Sequence, residues 1–411
     1  MRPVESNPFS ESDDLGPHIL PDKSSQPTFW NHLTEALNDR KQSQTLRSLR
    51  ASSPLGPTKL RLDGTELIHF GSNDYLAMSW HPEVRLAANS HSLSGRIGCG
   101  ASPLLMGHGD IHTKLIQTIA NFEGAESALV YSSGYAANLG VVSALATKQD
   151  VIFSDRLNHA SLIDGCRLSG AKIIVYPHCD LDSLRQLVRT HRNEGRFGFL
   201  ATDTVFSMDG DLAPLAGLIE LCEAYDMQCI VDEAHATGVY GQQGRGLCEH
   251  MNIHSERLIH VGTLSKAVGC VGGFVSGNPT LINWLTNMSR SWIYSTGGTI
   301  PSAAAACASL PIISKMRSER AELEQKSVSL RAKLTDLGFT VGSGNSPIIP
   351  VFLGTPEKVM SASKKLLQQG IYVPAIRPPT VPKGQSLLRI SLSVAHSPLE
   401  IEALVGALTR V

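Results

Sequence analysis

Two short segments of this chain carry residues whose types and spacing could do chemistry together. Asp232 and His235 stand three residues apart, directly after an apolar run that ends at Val231. Lys266 follows a second apolar run, residues 258–261, in a loop of small residues. A lysine amine can form an imine with an aldehyde, and a carboxylate can keep a pyridine nitrogen protonated. The two segments together predict a site for pyridoxal 5'-phosphate (PLP).

Each segment alone has a structural explanation. The acid of the first could cap the helix that follows it, and Lys266 could be an ordinary solvated loop residue. Their order in the chain, each after a strand-like run, favours the catalytic interpretation.

The composition favours small-molecule chemistry over binding to nucleic acid or to a membrane. The 411 residues include 36 Lys and Arg and 37 Asp and Glu, a balance that gives no attraction to an anionic partner. No uninterrupted apolar stretch is as long as a membrane span, which needs about 18 residues. The spacing of the eight cysteines matches no metal-binding motif, so we expect no metal site. We expect the cysteines to be buried free thiols and the protein to be cytoplasmic. Residues 1–27 are rich in Ser, Pro and Asp and are expected to be a disordered arm.

The hydrophobic pattern predicts an α/β protein. At least two domains are expected, because the chain has more residues than a single hydrophobic core usually serves. An amphipathic helix is expected over residues 28–50, followed by strands near 59–62 and 66–70, which together make an N-terminal segment 28–70. From residue 112 helices and strands alternate, which predicts a mostly parallel sheet with helices on both faces in a large domain, 71–310. Residues 311–411 are expected to form a smaller α+β domain. The strands predicted for the large domain are 127–131, 151–154, 172–176, 197–202, 229–231 and 258–261.

Five further motifs occur in an order found in one enzyme family. They are SNDYL (72–76), SGYAAN (133–138), DRLNHAS (155–161), VFSMDGD (205–211) and AIRPPTVPKG (375–384). With the two segments above, they resemble the fold-type I PLP enzymes of the α-oxoamine synthase family from about residue 28 to the C terminus. The resemblance implies a homodimer with active sites at its interface. We expect residues 291–296 to form a loop that reaches across that interface.

The phosphate of PLP is expected at the start of the SGYAAN motif. Ser133, Gly134 and Tyr135 lie between an apolar strand and a helix, where free backbone N–H groups and the helix dipole favour an anion. An ordinary strand-to-helix turn is the alternative. By resemblance, Thr263 and Ser265 add hydroxyl groups near the same phosphate.

The ring of PLP has its own set of implied contacts. The resemblance implies that His159 stacks on the ring and that Asp232 meets the pyridine nitrogen. It also implies that His235 reaches the phenolic oxygen and that Ser207 is a further cofactor contact. Lys266, Asp232 and His159 are the implied catalytic residues, with Lys266 both covalent anchor and general base.

Substrate carboxylates need fixed cations, and a guanidinium suits them better than an ammonium. By resemblance, Arg389 holds the carboxylate of the amino acid with Asn73 nearby; an arginine that pairs between domains is the alternative. Arg377 is the candidate partner of the distal carboxylate of a pimeloyl chain. Thr380 in the same motif and Arg47 at the end of the first helix are further substrate contacts.

The resemblance implies a decarboxylating condensation of an amino acid with an acyl thioester. The motif around Arg377 favours L-alanine and a pimeloyl thioester, carried by CoA or by a carrier protein. Glycine acetyltransferase or 5-aminolevulinate synthase activity is the alternative within the family, and a non-catalytic partner subunit is the alternative outside it. Pro103 and Leu387 replace arginines of some relatives, and Thr204 stands where relatives usually have Gly or Ser.

Overall fold

The computed structural model describes residues 28–411, which fall into two units, residues 28–48 and residues 49–411. The first unit contains helix α1 (Phe29–Gln42), whose first turn is capped by the Thr28 hydroxyl accepting from the Asn31 N–H (3.2 Å). The arm predicted for residues 1–27 lies outside the described residues.

Helix α1 is shorter than the helix predicted over residues 28–50. Its end is closed by Ser43, whose hydroxyl donates to the Asp39 carbonyl (2.8 Å), and by Gln44, which adopts the left-handed region (φ 53°). The N–H groups of Thr45 and Leu46 then both donate to the Arg40 carbonyl. These bonds cap the last carbonyls, so the chain leaves the helix at Gln42.

In the unit 49–411, helices and strands alternate over residues 110–263, as the sequence predicts from residue 112. The strands are β1 (Ser52–Pro54), β2 (Lys59–Leu62), β3 (Thr65–His69), β4 (Ser127–Tyr131), β5 (Val151–Asp155), β6 (Lys172–Tyr176), β7 (Gly198–Asp203), β8 (Met227–Asp232), β9 (Leu258–Thr263), β10 (Gly273–Gly277), β11 (Ile348–Gly354), β12 (Ile371–Tyr372), β13 (Ala375–Ile376) and β14 (Ser386–Ser391). The helices are α2 (Pro82–Ser94), α3 (Asp110–Glu123), α4 (Gly134–Leu145), α5 (Ala160–Ser169), α6 (Leu181–His191), α7 (Leu215–Ala224), α8 (Leu247–His250), α9 (Pro279–Met288), α10 (Arg290–Ile293), α11 (Ile300–Ile313), α12 (Arg317–Asp336), α13 (Pro356–Gln368) and α14 (Pro398–Leu408).

The central sheet has seven strands in the order β4-β10-β9-β8-β7-β5-β6. Strands β5 to β9 run parallel, and β10 pairs antiparallel with β4 and with β9. Strands buried on both faces read as nearly continuous apolar runs, which explains why the sequence pattern identifies them. The predicted fold class, α/β with a large, mostly parallel sheet, is confirmed.

Two hydrophobic clusters cover the two faces of this sheet. Ile152 and Ile230 pack with helices α4, α5 and α9, whereas their neighbours Phe153 and Val231 pack with helices α3, α6, α7 and α11. Because successive side chains of a strand point to opposite faces, each strand contributes to both clusters. The sheet is therefore held rigidly between two helical layers.

Two smaller sheets complete the unit. One has the order β1-β2-β3-β12, in which β12 pairs parallel with β3 and so joins the segment after residue 49 to the C-terminal part of the chain. The other has the order β11-β14-β13 and packs with helix α13. The domain boundaries at 70/71 and 310/311 stay predictions.

The segment 291–296 differs from the predicted loop, because its first part is the short helix α10. The Trp292 indole N–H donates to the Val130 carbonyl (3.0 Å), and the Ser291 hydroxyl donates to the Ala136 carbonyl (2.6 Å). These bonds hold Ser291 and Trp292 against their own chain, and the reach of residues 291–296 across a dimer interface stays a prediction. No helix within residues 28–411 is long and apolar enough to cross a membrane.

Candidate active site

Strands β5, β7, β8 and β9 end in polar residues at one edge of the central sheet. Their last residues are Asp155, Asp203, Asp232 and Thr263. These strands are parallel neighbours, so their carboxyl ends share an edge, and Asp203 is paired in register with Asp232. Ligands of open α/β sheets bind at this kind of edge.

A cavity of about 770 Å³ brings together many of the residues that the sequence singles out. The predicted site residues that line it are Asn73, His159, Ser207, His235, Lys266, Thr380 and Arg389. Its charged lining residues, within the described part of the chain, are Arg156, Lys266 and Arg389, and no Asp or Glu lines it. The cavity is therefore suited to anionic ligands.

Lys266 lies partly buried in the loop after β9. Burial lowers the pKa of its amine to about 8, although the neighbouring Asp232 opposes this shift. A substantial fraction of the amine is therefore neutral near pH 8, the form that attacks an aldehyde or accepts a proton.

Asp232 is buried, and its carboxylate is held by two donors. The Asn138 side-chain amide donates to one oxygen (2.6 Å) and the Ala234 N–H donates to the other (2.7 Å). Asn138 also donates to the Ser161 hydroxyl (2.9 Å). Sequence reasoning missed Asn138, although it ends the SGYAAN motif and is a buried polar residue in an otherwise apolar helix.

His159 is positioned by a second carboxylate. Its backbone N–H donates to Asp203 (2.6 Å), and its ring Nδ1 caps helix α5 by accepting from the Ser161 N–H (3.3 Å). Burial and the neighbouring charge of Asp232 raise the pKa of Asp203 well above its ordinary value. Burial lowers the pKa of His159, so its ring is neutral at pH 7. Sequence reasoning missed Asp203, which ends an apolar strand as Asp232 does.

A second hydrogen-bond network joins three of the motifs. The Tyr75 hydroxyl lies 2.7 Å from His235 Nδ1 and donates to Asn73 Oδ1 (3.2 Å). Arg389 donates to the same Asn73 oxygen (3.0 Å) and to the Ser207 carbonyl (2.7 Å). Burial lowers the pKa of His235 well below its ordinary value, so this ring is also neutral. Tyr75, which links the network, was missed although it lies in the SNDYL motif.

The residues predicted for the phosphate lie together at the start of helix α4. Ser133 caps the helix by accepting from the Ala136 N–H (3.0 Å), and the first N–H groups of a helix, here those of Gly134 and Tyr135, have no acceptor within it. A Cβ added at Gly134 would lie 3.2 Å from the Thr263 hydroxyl, which bonds the Ser265 hydroxyl (2.8 Å). N–H groups and hydroxyls thus converge where an anion would be favoured.

Of the three remaining predicted substrate residues, only Thr380 is among the residues that line the cavity. Thr380 lines the cavity, whereas Arg377, in the same loop, is not among the lining residues, and its Nη1 donates to the Ala375 carbonyl (3.4 Å). Arg47 belongs to residues 28–48, which are described separately from the cavity. The roles of all three stay predictions.

One cluster with metal-ligand residue types, formed by Asp155, His178 and Cys179, lies beside the site and is engaged in hydrogen bonds. Burial lowers the pKa of His178, but hydrogen bonds to Asp155 (2.9 Å) and Asp211 (2.8 Å) outweigh it and raise the pKa to about 12. An imidazolium that donates from both nitrogens offers no lone pair to a metal.

A second such cluster is formed by Glu233, Cys248 and His260. Glu233 accepts from the Thr204 hydroxyl (2.8 Å) and from the N–H groups of Leu247 (2.9 Å) and Cys248 (3.0 Å). Its oxygens therefore serve the local backbone. Thr204, which stands where relatives usually have Gly or Ser, therefore serves in this chain as a hydrogen-bond donor to Glu233.

Comparison with known proteins agrees with this geometry. The family model of class I and II aminotransferases matches residues 65–408. The 8-amino-7-oxononanoate synthase of Methylobacillus flagellatus is 40% identical over 379 residues, 92% of this chain and 95% of the relative. That of Thermoanaerobacter pseudethanolicus is 38% identical over 380 residues, 92% of this chain and 96% of the relative. The structure of serine palmitoyltransferase from S. paucimobilis, with bound PLP and myriocin, has a TM-score of 0.88 at 29% identity and covers 93% of this chain and 96% of its own.

The fold and the site define a PLP-dependent transferase of fold type I. The chain belongs to the class I and II aminotransferase family and, within it, to the α-oxoamine synthases, which are PLP-dependent acyltransferases. It is therefore an enzyme, and the non-catalytic alternative is set aside. The residues present fit the cofactor, because a partly neutral lysine, a buried carboxylate and an anion-binding helix start lie at one sheet edge.

Borohydride reduction of the purified protein should fix the cofactor covalently to Lys266, because this lysine lies in the cavity and a substantial fraction of its amine is neutral near pH 8. Peptide mass spectrometry locates the modified residue. The Lys266→Ala variant should carry no such label, and cofactor found on a different lysine of the wild-type protein would contradict the assignment.

The reactivity of Lys266 in the cofactor-free protein should rise with pH to a plateau, with a midpoint near 8, because only the neutral amine reacts. Pulse labelling with an amine-reactive reagent, read by peptide mass spectrometry, measures this profile, and the exposed Lys358 is an internal reference. In Asp232→Asn the midpoint should move to lower pH, because the charge that raises the Lys266 pKa is gone. An unchanged midpoint in this variant would show that Asp232 does not act on the amine.

Proposed function

We propose that this enzyme condenses L-alanine with a pimeloyl thioester to give 8-amino-7-oxononanoate, CO2 and the free thiol, the acyl transfer of biotin biosynthesis. The observation that carries the proposal is Lys266, with a pKa of about 8, in a cavity lined by three cations and by no carboxylate within the described residues. The relatives named 8-amino-7-oxononanoate synthase support the choice of substrates. The thiol carrier is CoA or a carrier protein, and we place the reaction in the cytoplasm.

Bound PLP supplies an electron sink for the α-carbon of the amino acid. We assign Lys266 as the residue that holds the cofactor and whose Nζ, once released, takes the α-proton, because a pKa of about 8 makes a far larger fraction of its amine neutral than in an ordinary lysine. Asp232 is the residue that would pair with the protonated pyridine nitrogen. Its two N–H donors hold the carboxylate in one orientation, so no reorganisation is needed when the charge of the substrate develops.

Arg389 is our candidate for holding the carboxylate of alanine. Bonds to Asn73, to the Ser207 carbonyl and to the Ser391 hydroxyl (2.6 Å) fix the guanidinium in the cavity. A fixed guanidinium binds a carboxylate with little further loss of side-chain entropy. Arg377 remains our candidate for the distal carboxylate of the acyl chain.

A product assay tests the proposed substrates. Alanine and glycine are each combined with pimeloyl-CoA, acetyl-CoA and succinyl-CoA, and the products are identified by mass spectrometry. Alanine with pimeloyl-CoA should give the highest kcat/KM, with 8-amino-7-oxononanoate as product. A preference for glycine with a short acyl-CoA would overturn the proposal in favour of glycine acetyltransferase or 5-aminolevulinate synthase activity.

We also propose that the enzyme works as a homodimer. An apolar surface formed by Leu93, Ile97, Leu104, Leu105 and Met106 has side chains that are 55% to 89% exposed. Hydrogen bonds from Arg96 to the Met106 carbonyl (2.8 Å) and from Ile300 to the Ile97 carbonyl (3.1 Å) hold its parts together. An ordered apolar patch of this kind is typical of a protein interface.

The double substitution Leu105→Glu, Met106→Glu should convert the dimer to a monomer, because it buries two charges in the proposed interface. Sedimentation equilibrium measures the assembly state. The control Val328→Glu, at an exposed position of helix α12, should remain dimeric. A wild-type protein that is monomeric and fully active at micromolar concentration would refute the dimer.

A further inference from the structure

The cavity contains one cation that the proposed reaction has not yet used. Among the described residues, its charged lining consists of Lys266, Arg389 and Arg156. Lys266 is assigned to the cofactor and Arg389 to the carboxylate of the amino acid. Arg156 has no assigned ligand, and no acidic residue of the described chain 28–411 lines the cavity to neutralise it.

The backbone that carries Arg156 is fixed on both sides. The Arg156 N–H donates to the Tyr176 carbonyl (3.1 Å), and the next N–H, that of Leu157, donates to Asp155 (2.8 Å). Two residues later, the His159 N–H bonds Asp203. The side chain of Arg156 therefore extends from a rigid loop next to His159.

The guanidinium of Arg156 makes no hydrogen bond or ion pair with another residue of the described chain 28–411, and the side chain is exposed. Other arginines of the protein are engaged by their surroundings: Arg331, for example, donates to the Ser346 carbonyl (2.8 Å) and the Ile348 carbonyl (2.5 Å). An unneutralised guanidinium in a cavity is suited to bind a carboxylate or phosphate through two parallel hydrogen bonds.

Part of the cavity wall is apolar. Leu157, Ile163, Met208, Ile376 and Val381 contribute to it. Such a wall suits the methylene chain of an acyl group, whose burial is favourable by about 0.8 kcal/mol per CH2.

We propose that Arg156 binds an anionic group of the acyl donor and so selects donors that carry one. The inference rests on the proposed function, since it needs an acyl thioester as the second substrate. The anionic group has two possible sources that the same guanidinium chemistry recognises. One is a phosphate of the CoA or phosphopantetheine carrier, and the other is the distal carboxylate of the pimeloyl chain, in which case Arg156 takes the role given above to Arg377.

Four donors distinguish these sources in steady-state assays of Arg156→Gln. Pimeloyl-CoA has both groups, heptanoyl-CoA has only the phosphates, the pimeloyl thioester of N-acetylcysteamine has only the carboxylate, and its heptanoyl thioester has neither. With pimeloyl-CoA the KM should rise roughly 10- to 100-fold, the loss of a charged hydrogen bond, while kcat and the KM for alanine stay within about twofold. If Arg156 binds the carboxylate, the loss should also occur with the pimeloyl thioester of N-acetylcysteamine and not with heptanoyl-CoA. If Arg156 binds a phosphate, the loss should occur with heptanoyl-CoA and not with that thioester.

Two further variants separate binding from a structural role. Arg156→Lys keeps the charge and should recover part of the affinity, whereas Arg189→Gln removes an exposed arginine of helix α6 outside the cavity and should change nothing. An equal loss with the heptanoyl thioester of N-acetylcysteamine, or no loss with any donor, overturns the proposal.

Direct binding keeps this test separate from the test of the reaction. Calorimetric titration of pimeloyl-CoA into the holoenzyme should show a Kd that is roughly 10- to 100-fold weaker for Arg156→Gln than for the wild type. If the wild type forms no 8-amino-7-oxononanoate but shows this difference in Kd, the proposed function fails and the role of Arg156 stands. Equal Kd values, or no binding to the wild type, overturn the role of Arg156.

Discussion

The site depends on two carboxyl groups that the sheet register places side by side. Asp203 and Asp232 end neighbouring parallel strands and are both buried, so they cannot both ionise without a large electrostatic cost. The two carboxyl groups accept hydrogen bonds from different donors: Asp232 accepts from Asn138 and Ala234, and Asp203 accepts from the His159 backbone. One sheet edge therefore provides a charged group for the cofactor and a positioning group for the histidine loop.

The same edge sets the electrostatic character of the cavity. The carboxylates lie beneath it at the strand ends, while the described residues that line it are cationic or neutral. Asp232 opposes the loss of the Lys266 proton, and burial of the amine outweighs this effect. The acidity of the lysine is thus a balance between solvent exclusion and local charge, and it depends on how tightly the cavity is closed.

The sequence predicts the strands of the central sheet well, because strands buried on both faces are apolar along their whole length. Some of the predicted site residues meet in the cavity because they follow parallel strands that share an edge, as His159, His235 and Lys266 do, whereas Arg377 does not line it. The sequence did not reveal Asn138, Asp203 or Tyr75 as members of the site. Their roles depend on partners 94, 44 and 160 positions away in the chain, and only the fold brings these together. The end of helix α1 was also misplaced, because the bonds of Ser43 and Gln44 that close it are not visible in hydrophobic periodicity.

The Asn138 amide has a consequence for the His159 imidazole. Asn138 can only donate from its nitrogen, and it does so both to Asp232 and to the Ser161 oxygen, so the Ser161 hydroxyl proton is left to point at His159 Nδ1 (2.7 Å). The Ser161 N–H also points at this nitrogen. These donors select one tautomer of the ring, with its hydrogen on Nε2 and directed away from helix α5. The buried carboxylate thereby determines, through one amide and one hydroxyl, which nitrogen of the histidine can donate to a ligand.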